Sequence, residues 1–121
     1  MGASGLASTP TEYRERLRQQ TDDQLDSWAA ELMRDVAKRR GLVHVVADFR
    51  KTCSLDEAAF RRVFARGGGA PQTVGHDAAG NLMVPTISLH FLVPGLRAEV
   101  ADARDRLIAY LVACFDEIVY V

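Results

Sequence analysis

Residues 42–50 have the sequence LVHVVADFR, and the hydrophobic pattern of this segment fits both a helix and a strand. The helical set is Leu42, Val45, Val46 and Phe49, and the strand set is Val43, Val45, Ala47 and Phe49. Three valines occupy the four positions after Leu42, and Gly41 stops the preceding pattern. Because β-branched residues pack well on a pleated surface, we predict a strand here, with a helix as the alternative.

Several helix signals surround this segment. Thr21 and Gln24 have the spacing of a capping box, and Thr9-Pro10 can open a shorter helix. Apolar stripes at helical spacing mark the longer helices, and a loop of Gly and Asn between two apolar runs marks a hairpin. The predicted helices begin at Pro10 and cover residues 22–40, 55–66 and 96–115, and the predicted strands lie in a hairpin over 72–93 and at the terminal DEIVYV.

With a strand at 42–50, residues 42–121 have the order β-α-β-β-α-β, which is typical of a ferredoxin-like α+β sandwich. Residues 10–41 form a helical extension before this sheet-containing core. Residues 1–9 are rich in Gly, Ser and Ala and predict a flexible tail. We therefore expect a single α+β domain over residues 10–121.

Strand alternation then predicts which side chains face the helices and which lie on the open face of the sheet. The expected core positions of the hairpin are Ile87, Leu89, Phe91 and Val93. The expected open-face positions are His44, Asp48, Ser88 and His90. Such a face needs a cover, either the helix that carries Trp28 or a second copy of the chain. These four residues and Trp28 form the predicted ligand or interface site, with no catalytic residue, metal or cofactor assigned.

A helix at 42–50 gives a different architecture. The first half becomes a cluster of three helices, followed by a hairpin as the wing of a winged-helix-like fold. Residues 34–66 carry nine basic against four acidic side chains, so the helix 55–66 could contact phosphates. Its candidate contacts are Arg61, Arg62 and Arg66. The helix 96–115 and the terminal strand have no place in a minimal winged helix, so nucleic-acid binding is the less favoured interpretation.

The remaining reactive side chains form no recognisable site. Cys53 lies near Arg50 and Lys51, which could lower its pKa, but no histidine partner is evident. Cys114 falls in an apolar stripe, so we expect it to be buried and to act as a small hydrophobic residue. His76 precedes Asp77 at the predicted turn, where an aspartate often accepts hydrogen bonds from backbone amides.

Composition limits the function classes. The formal net charge is −1, so no overall field attracts nucleic acid or an anionic membrane. No apolar run is long enough to span a membrane and no secretory signal is present, which predicts a cytoplasmic protein. The absence of a catalytic constellation favours a non-enzymatic interaction or regulatory module that forms a homodimer or binds a partner protein. The alternative is a small enzyme or ligand-binding protein of the dimeric α+β-barrel type, with its pocket on the open sheet face.

Overall fold

The computed structural model describes residues 7–118, which form a cluster of helices with one small hairpin. The helices are α1 (Pro10–Arg18), α2 (Asp22–Arg40), α3 (Leu42–Cys53), α4 (Glu57–Arg66), α5 (Leu92–Glu99), α6 (Ala103–Ala113) and α7 (Phe115–Ile118). The strands β1 (Gly75–His76) and β2 (Leu82–Met83) pair antiparallel, and two 3-10 segments cover Pro71–Thr73 and Thr86–Phe91. The predicted ferredoxin-like α+β sandwich is therefore wrong, whereas the alternative order of helices followed by a hairpin fits.

The strand predicted at residues 42–50 is helix α3. Its buried side chains are Val45, Val46, Phe49 and Cys53, which continue the helical set by one further turn. The burial pattern does not match the strand prediction, because Ala47 is exposed and Val43 is only half-buried. Propensity differences among residues are below about 1 kcal/mol, so burial of this stripe against neighbouring helices overrides the preference of valine for strands.

The second strand of the predicted hairpin is also mostly wrong. In the part of this segment that the structure describes, the strand covers Leu82–Met83 alone, and after Pro85 the chain enters the 3-10 segment that leads into α5. Ile87, predicted in the core, is 86% exposed. The buried residues repeat at helical spacing (Leu89, Leu92, Val93 and Leu96). Pro94 is tolerated because it occupies the first turn of α5, where a backbone N–H has no partner within the helix.

The predicted helix over residues 22–40 is confirmed, together with its capping box. The Thr21 hydroxyl accepts a hydrogen bond from the Gln24 backbone N–H at 3.1 Å, and the Gln24 side chain accepts one from the Thr21 N–H at 2.9 Å. The short helix after Thr9 is confirmed as α1. The helix predicted over 55–66 exists as α4, but its N-cap is Asp56.

The long helix predicted over residues 96–115 is interrupted. Val100 is extended, and the chain restarts as α6 at Ala103. The predicted terminal strand is wrong at residues 116–118, which belong to α7, and its residues 119–121 lie outside the described residues. For the predicted tail, residues 1–6 also lie outside, whereas Ala7 is buried and Thr9 caps α1.

The helices pack around α3, which contacts α2, α6 and β2. Helix α4 packs mainly on α5, where two glycines let the backbones approach. A Cβ built on Gly95 would overlap the carbonyl oxygen of Val63, and one on Gly67 would overlap that of Phe91. The contact between α4 and α5 therefore depends on the absence of side chains at these two positions.

We predict that Gly95→Ala lowers the free energy of unfolding by about 2–3 kcal/mol, because the backbones of α4 and α5 must separate. Urea denaturation followed by circular dichroism measures this change. Gly75→Ala is the matched control: a Cβ there meets no atom within 4 Å, so we expect a change below about 0.5 kcal/mol. Equal stability of the two variants would contradict the proposed close approach.

Candidate functional site

An open groove of about 370 Å³ runs along the outer face of the N-terminal half of α2. Five of its lining residues lie on α2 in two rows with helical spacing, Asp23, Ser27 and Glu31 in one row and Gln24 and Trp28 in the other, and Gln20 lies just before the helix. Side chains spaced four residues apart form a ridge on a helix. Side chains of a neighbouring molecule can pack into the groove between two such ridges. We call this feature the Trp28 groove.

Trp28 is held in place from within the protein. Its Nε1–H donates a hydrogen bond of 2.6 Å to the hydroxyl oxygen of Tyr13 on α1. The Tyr13 ring is buried and packs on Phe115, with ring centroids 5.7 Å apart. Burial raises the pKa of Tyr13 to about 12, so its hydroxyl stays protonated at neutral pH. The indole is therefore anchored at its nitrogen while part of the side chain remains accessible.

The two carboxylates of the Trp28 groove, those of Asp23 and Glu31, differ in their ion pairing from the neighbouring carboxylates of Asp22 and Asp26 on α2. Asp22 and Asp26 form ion pairs with Arg104 and Arg97, the latter with an Nη2 to Oδ1 distance of 2.8 Å. Among residues 7–118, neither Asp23 nor Glu31 has an ion-pair partner, and both are exposed. The groove therefore carries negative charge that the described part of the protein does not neutralise.

Trp28 could be predicted from the sequence, whereas Asp23 and Glu31 were not predicted. The pattern puts Trp28 in the apolar stripe of α2, but its side chain lies at the edge of that stripe and is half-buried. The two carboxylates belong to the polar face of an amphipathic helix, a pattern that usually indicates only a solvated surface. The available signal was their position in the sequence, since Asp23 lies five residues before and Glu31 three residues after the only tryptophan of the chain.

The four predicted open-face residues lie on two separate elements. His44 and Asp48 are one turn apart on α3, with 3.0 Å between the histidine Nε2 and a carboxylate oxygen. Ser88 and His90 lie in the 3-10 segment, where the His90 ring is close to that of Phe91. Within residues 7–118, no hydrogen bond or ion pair joins the two sets. The shared sheet face that would have brought them together does not form, and their role as a site stays a prediction.

The arginines of the nucleic-acid alternative lie on α4 and bind acidic partners of the same chain. Arg62 and Arg66 both contact Glu99 of α5, at 3.0 and 3.4 Å. Arg61 contacts Glu57 and donates to the carbonyl oxygen of Val74 at 3.1 Å. The basic excess of residues 34–66 is therefore partly neutralised by residues distant in sequence.

The predicted role of Asp77 at the turn is confirmed, because its carboxylate accepts hydrogen bonds from the backbone N–H groups of Ala79 and Asn81. His76 lies 3.1 Å from a carboxylate oxygen of Glu57. Hydrogen bonds from His76 and from Arg61 lower the pKa of Glu57. These contacts attach the hairpin to α4.

Cys53 and Cys114 are both buried and form no disulfide. Burial raises the pKa of Cys53 to about 12 and that of Cys114 to about 11. For Cys53 burial exceeds the opposing effects of a hydrogen bond with Thr52 and of the charge of Arg106 on its pKa. The predicted lowering of this pKa by Arg50 and Lys51 is therefore wrong. Across the described part of the chain, no group of three or more His, Cys, Asp or Glu side chains could hold a metal ion.

We predict that both thiols react slowly with Ellman's reagent in the folded protein at pH 8 and rapidly in urea. A raised pKa reduces the thiolate fraction, and burial blocks access. The variants Cys53→Ala and Cys114→Ala assign the reaction to the remaining thiol. Rapid reaction of Cys53 in the folded Cys114→Ala variant, with circular dichroism showing an intact fold, would restore the interpretation of a reactive cysteine.

Within residues 7–118, no helix has both the length and the apolar character needed to cross a bilayer. Comparisons of the chain with protein-family models, with curated proteins and with solved structures gave no match.

Proposed function

We propose that this protein is a non-enzymatic interaction module that binds a partner protein, or a second copy of itself, through the Trp28 groove. The observation that carries the proposal is an anchored, half-exposed indole between two carboxylates that have no ion-pair partner among residues 7–118. Tryptophan is enriched among the residues that contribute most to binding energy at protein interfaces. An indole that is already fixed also loses little conformational freedom when it is covered.

The composition of the groove supports binding over catalysis. Among residues 7–118, no histidine or cysteine lines it, and the Ser27 hydroxyl forms no hydrogen bond with the carboxylates of Asp23 and Glu31 in the same row. Nucleophilic catalysis requires a nucleophile and a base within hydrogen-bond distance, and the groove offers no such pair. An enzyme of the dimeric α+β-barrel type is less well supported, because it requires a broad sheet face and the described strands form only a two-stranded hairpin.

Nucleic-acid binding also has less support. To bind Arg62 and Arg66, a phosphate would have to replace Glu99, which is already their ion-pair partner. Each of these exposed ion pairs is weak, so this competition is a modest obstacle. We also propose a cytoplasmic location, because Cys53 and Cys114 are free thiols.

The proposal predicts a discrete cross-linked product from the groove. A photoreactive phenylalanine analogue is introduced at Ser27, which is exposed within the groove, and the protein is irradiated in cells of its source organism. We expect one dominant adduct, identified by mass spectrometry, that is lost when Trp28→Ala is added to a variant shown to be folded. An adduct of twice the chain mass would identify a second copy as the occupant.

The control places the same analogue at Ala109, an exposed position on α6 outside the groove. The same adducts from both positions, or none from Ser27, would overturn the proposed interface.

A second experiment uses the purified partner, which is mixed with the isolated protein. Binding that is unaffected by Trp28→Ala would also count against the proposed interface.

A further inference from the structure

We infer that the Trp28 groove binds lysine or arginine side chains of a partner segment, with two cations held about 12 Å apart. This inference rests on the proposed function and names the chemistry of the occupant. The groove is negatively charged, because Asp23 and Glu31 lie in one row and no cation of residues 7–118 pairs with either. A partner with complementary charge would neutralise both.

Trp28 adds a preference for cations over other polar groups. Glu31 is three residues after Trp28 and therefore adjacent to it on the helix surface. A cation that contacts the Glu31 carboxylate is within reach of the indole face, where the electron-rich ring attracts positive charge. Tryptophan is the best of the aromatic residues for this contact. A carboxylate on the partner would meet repulsion from the same groups.

The positions of the two carboxylates set the spacing. Asp23 and Glu31 are eight residues apart on one helix, which corresponds to about 12 Å along the axis. In an extended segment, side chains four residues apart point to the same side and are about 13 Å apart. The matching partner segment therefore carries Lys or Arg at two positions four residues apart in its sequence.

The two carboxylates are not equivalent. Asp23 lies in the first turn of α2, where its charge already interacts favourably with the helix dipole. Glu31 lies in the middle of the helix and has no such compensation. Glu31 also lies closer to Trp28 along the helix, so it should contribute more to binding than Asp23.

The test uses one short blocked peptide with a Gly/Ser background in three versions, with Lys, Gln or Glu at two positions four residues apart. The single tryptophan gives one indole N–H signal in a proton–nitrogen correlation spectrum of the labelled protein, which reports binding directly. We expect the Lys version to shift this signal saturably, with a weak affinity that decreases as salt is added. The Gln and Glu versions should leave it in place.

The variant Glu31→Gln should weaken binding of the Lys peptide by roughly two- to fivefold, and Asp23→Asn by less. Asp105→Asn is the matched control, because Asp105 is exposed on α6 and its removal changes the net charge equally. It should leave the affinity nearly unchanged. Equal effects of Glu31→Gln and Asp105→Asn would assign the attraction to overall charge and overturn the inference.

The other outcomes separate this inference from the proposed function. If the Gln or Glu peptide binds as well as the Lys peptide, the groove binds protein segments but does not select cations. If no version shifts the indole signal, the cationic occupant is rejected, and cross-linking from Ser27 still decides whether the groove is an interface. Arg34 and Lys38 continue along the outer face of α2, so concentration-dependent self-association would identify a second copy as the source of the cations.

Discussion

Burial of the apolar stripe of α3 is the interaction on which the rest of the fold depends. Val45, Val46, Phe49 and Cys53 are all nearly inaccessible, and they are covered from different sides by α2, α6 and β2. Phe49 meets Tyr110 of α6 edge to face, with ring centroids 5.4 Å apart. Because this one stripe contacts elements from separate parts of the chain, its burial brings α2, α6 and the hairpin together.

A comparison of α3 with α1 and α2 shows why only some helices could be predicted from the sequence. The boundaries of α1 and α2 follow from local signals, since Thr9-Pro10 and the Thr21–Gln24 capping box act within a few residues. Residues 42–50 contain no such signal at their start, because Gly41 supplies no side-chain cap. Extending the pattern to Cys53 would have favoured the helix, as twelve residues exceed the usual length of a strand. The strand predicted after Pro85 is wrong for the same reason, because Leu96 completes the helical spacing only beyond the end of that predicted strand at residue 93.

The candidate site depended on the fold to different degrees. His44, Asp48, Ser88 and His90 were grouped only through strand alternation, so the grouping lost its basis when the strands proved to be helical. Trp28 could be selected without a fold, because a lone tryptophan at the edge of a helix stripe often lies at an interface. Its carboxylate neighbours could not be selected. Whether a charged residue is paired depends on contacts distant in sequence, such as those of Arg97 and Arg104 with α2.

Tertiary ion pairing therefore determines which charges are available to a partner. Glu99 binds two arginines of α4, and Glu117 binds Arg39 and Arg40, so much of the basic excess seen in sequence is matched within the chain. Within the described part of the chain, Asp23 and Glu31 have no such partners, and they lie beside an indole whose nitrogen is already satisfied by Tyr13. Covering that indole sacrifices no hydrogen bond, because its only donor points into the protein. A partner thus meets an aromatic surface that is inexpensive to desolvate and carboxylates that remain hydrated until a cation approaches.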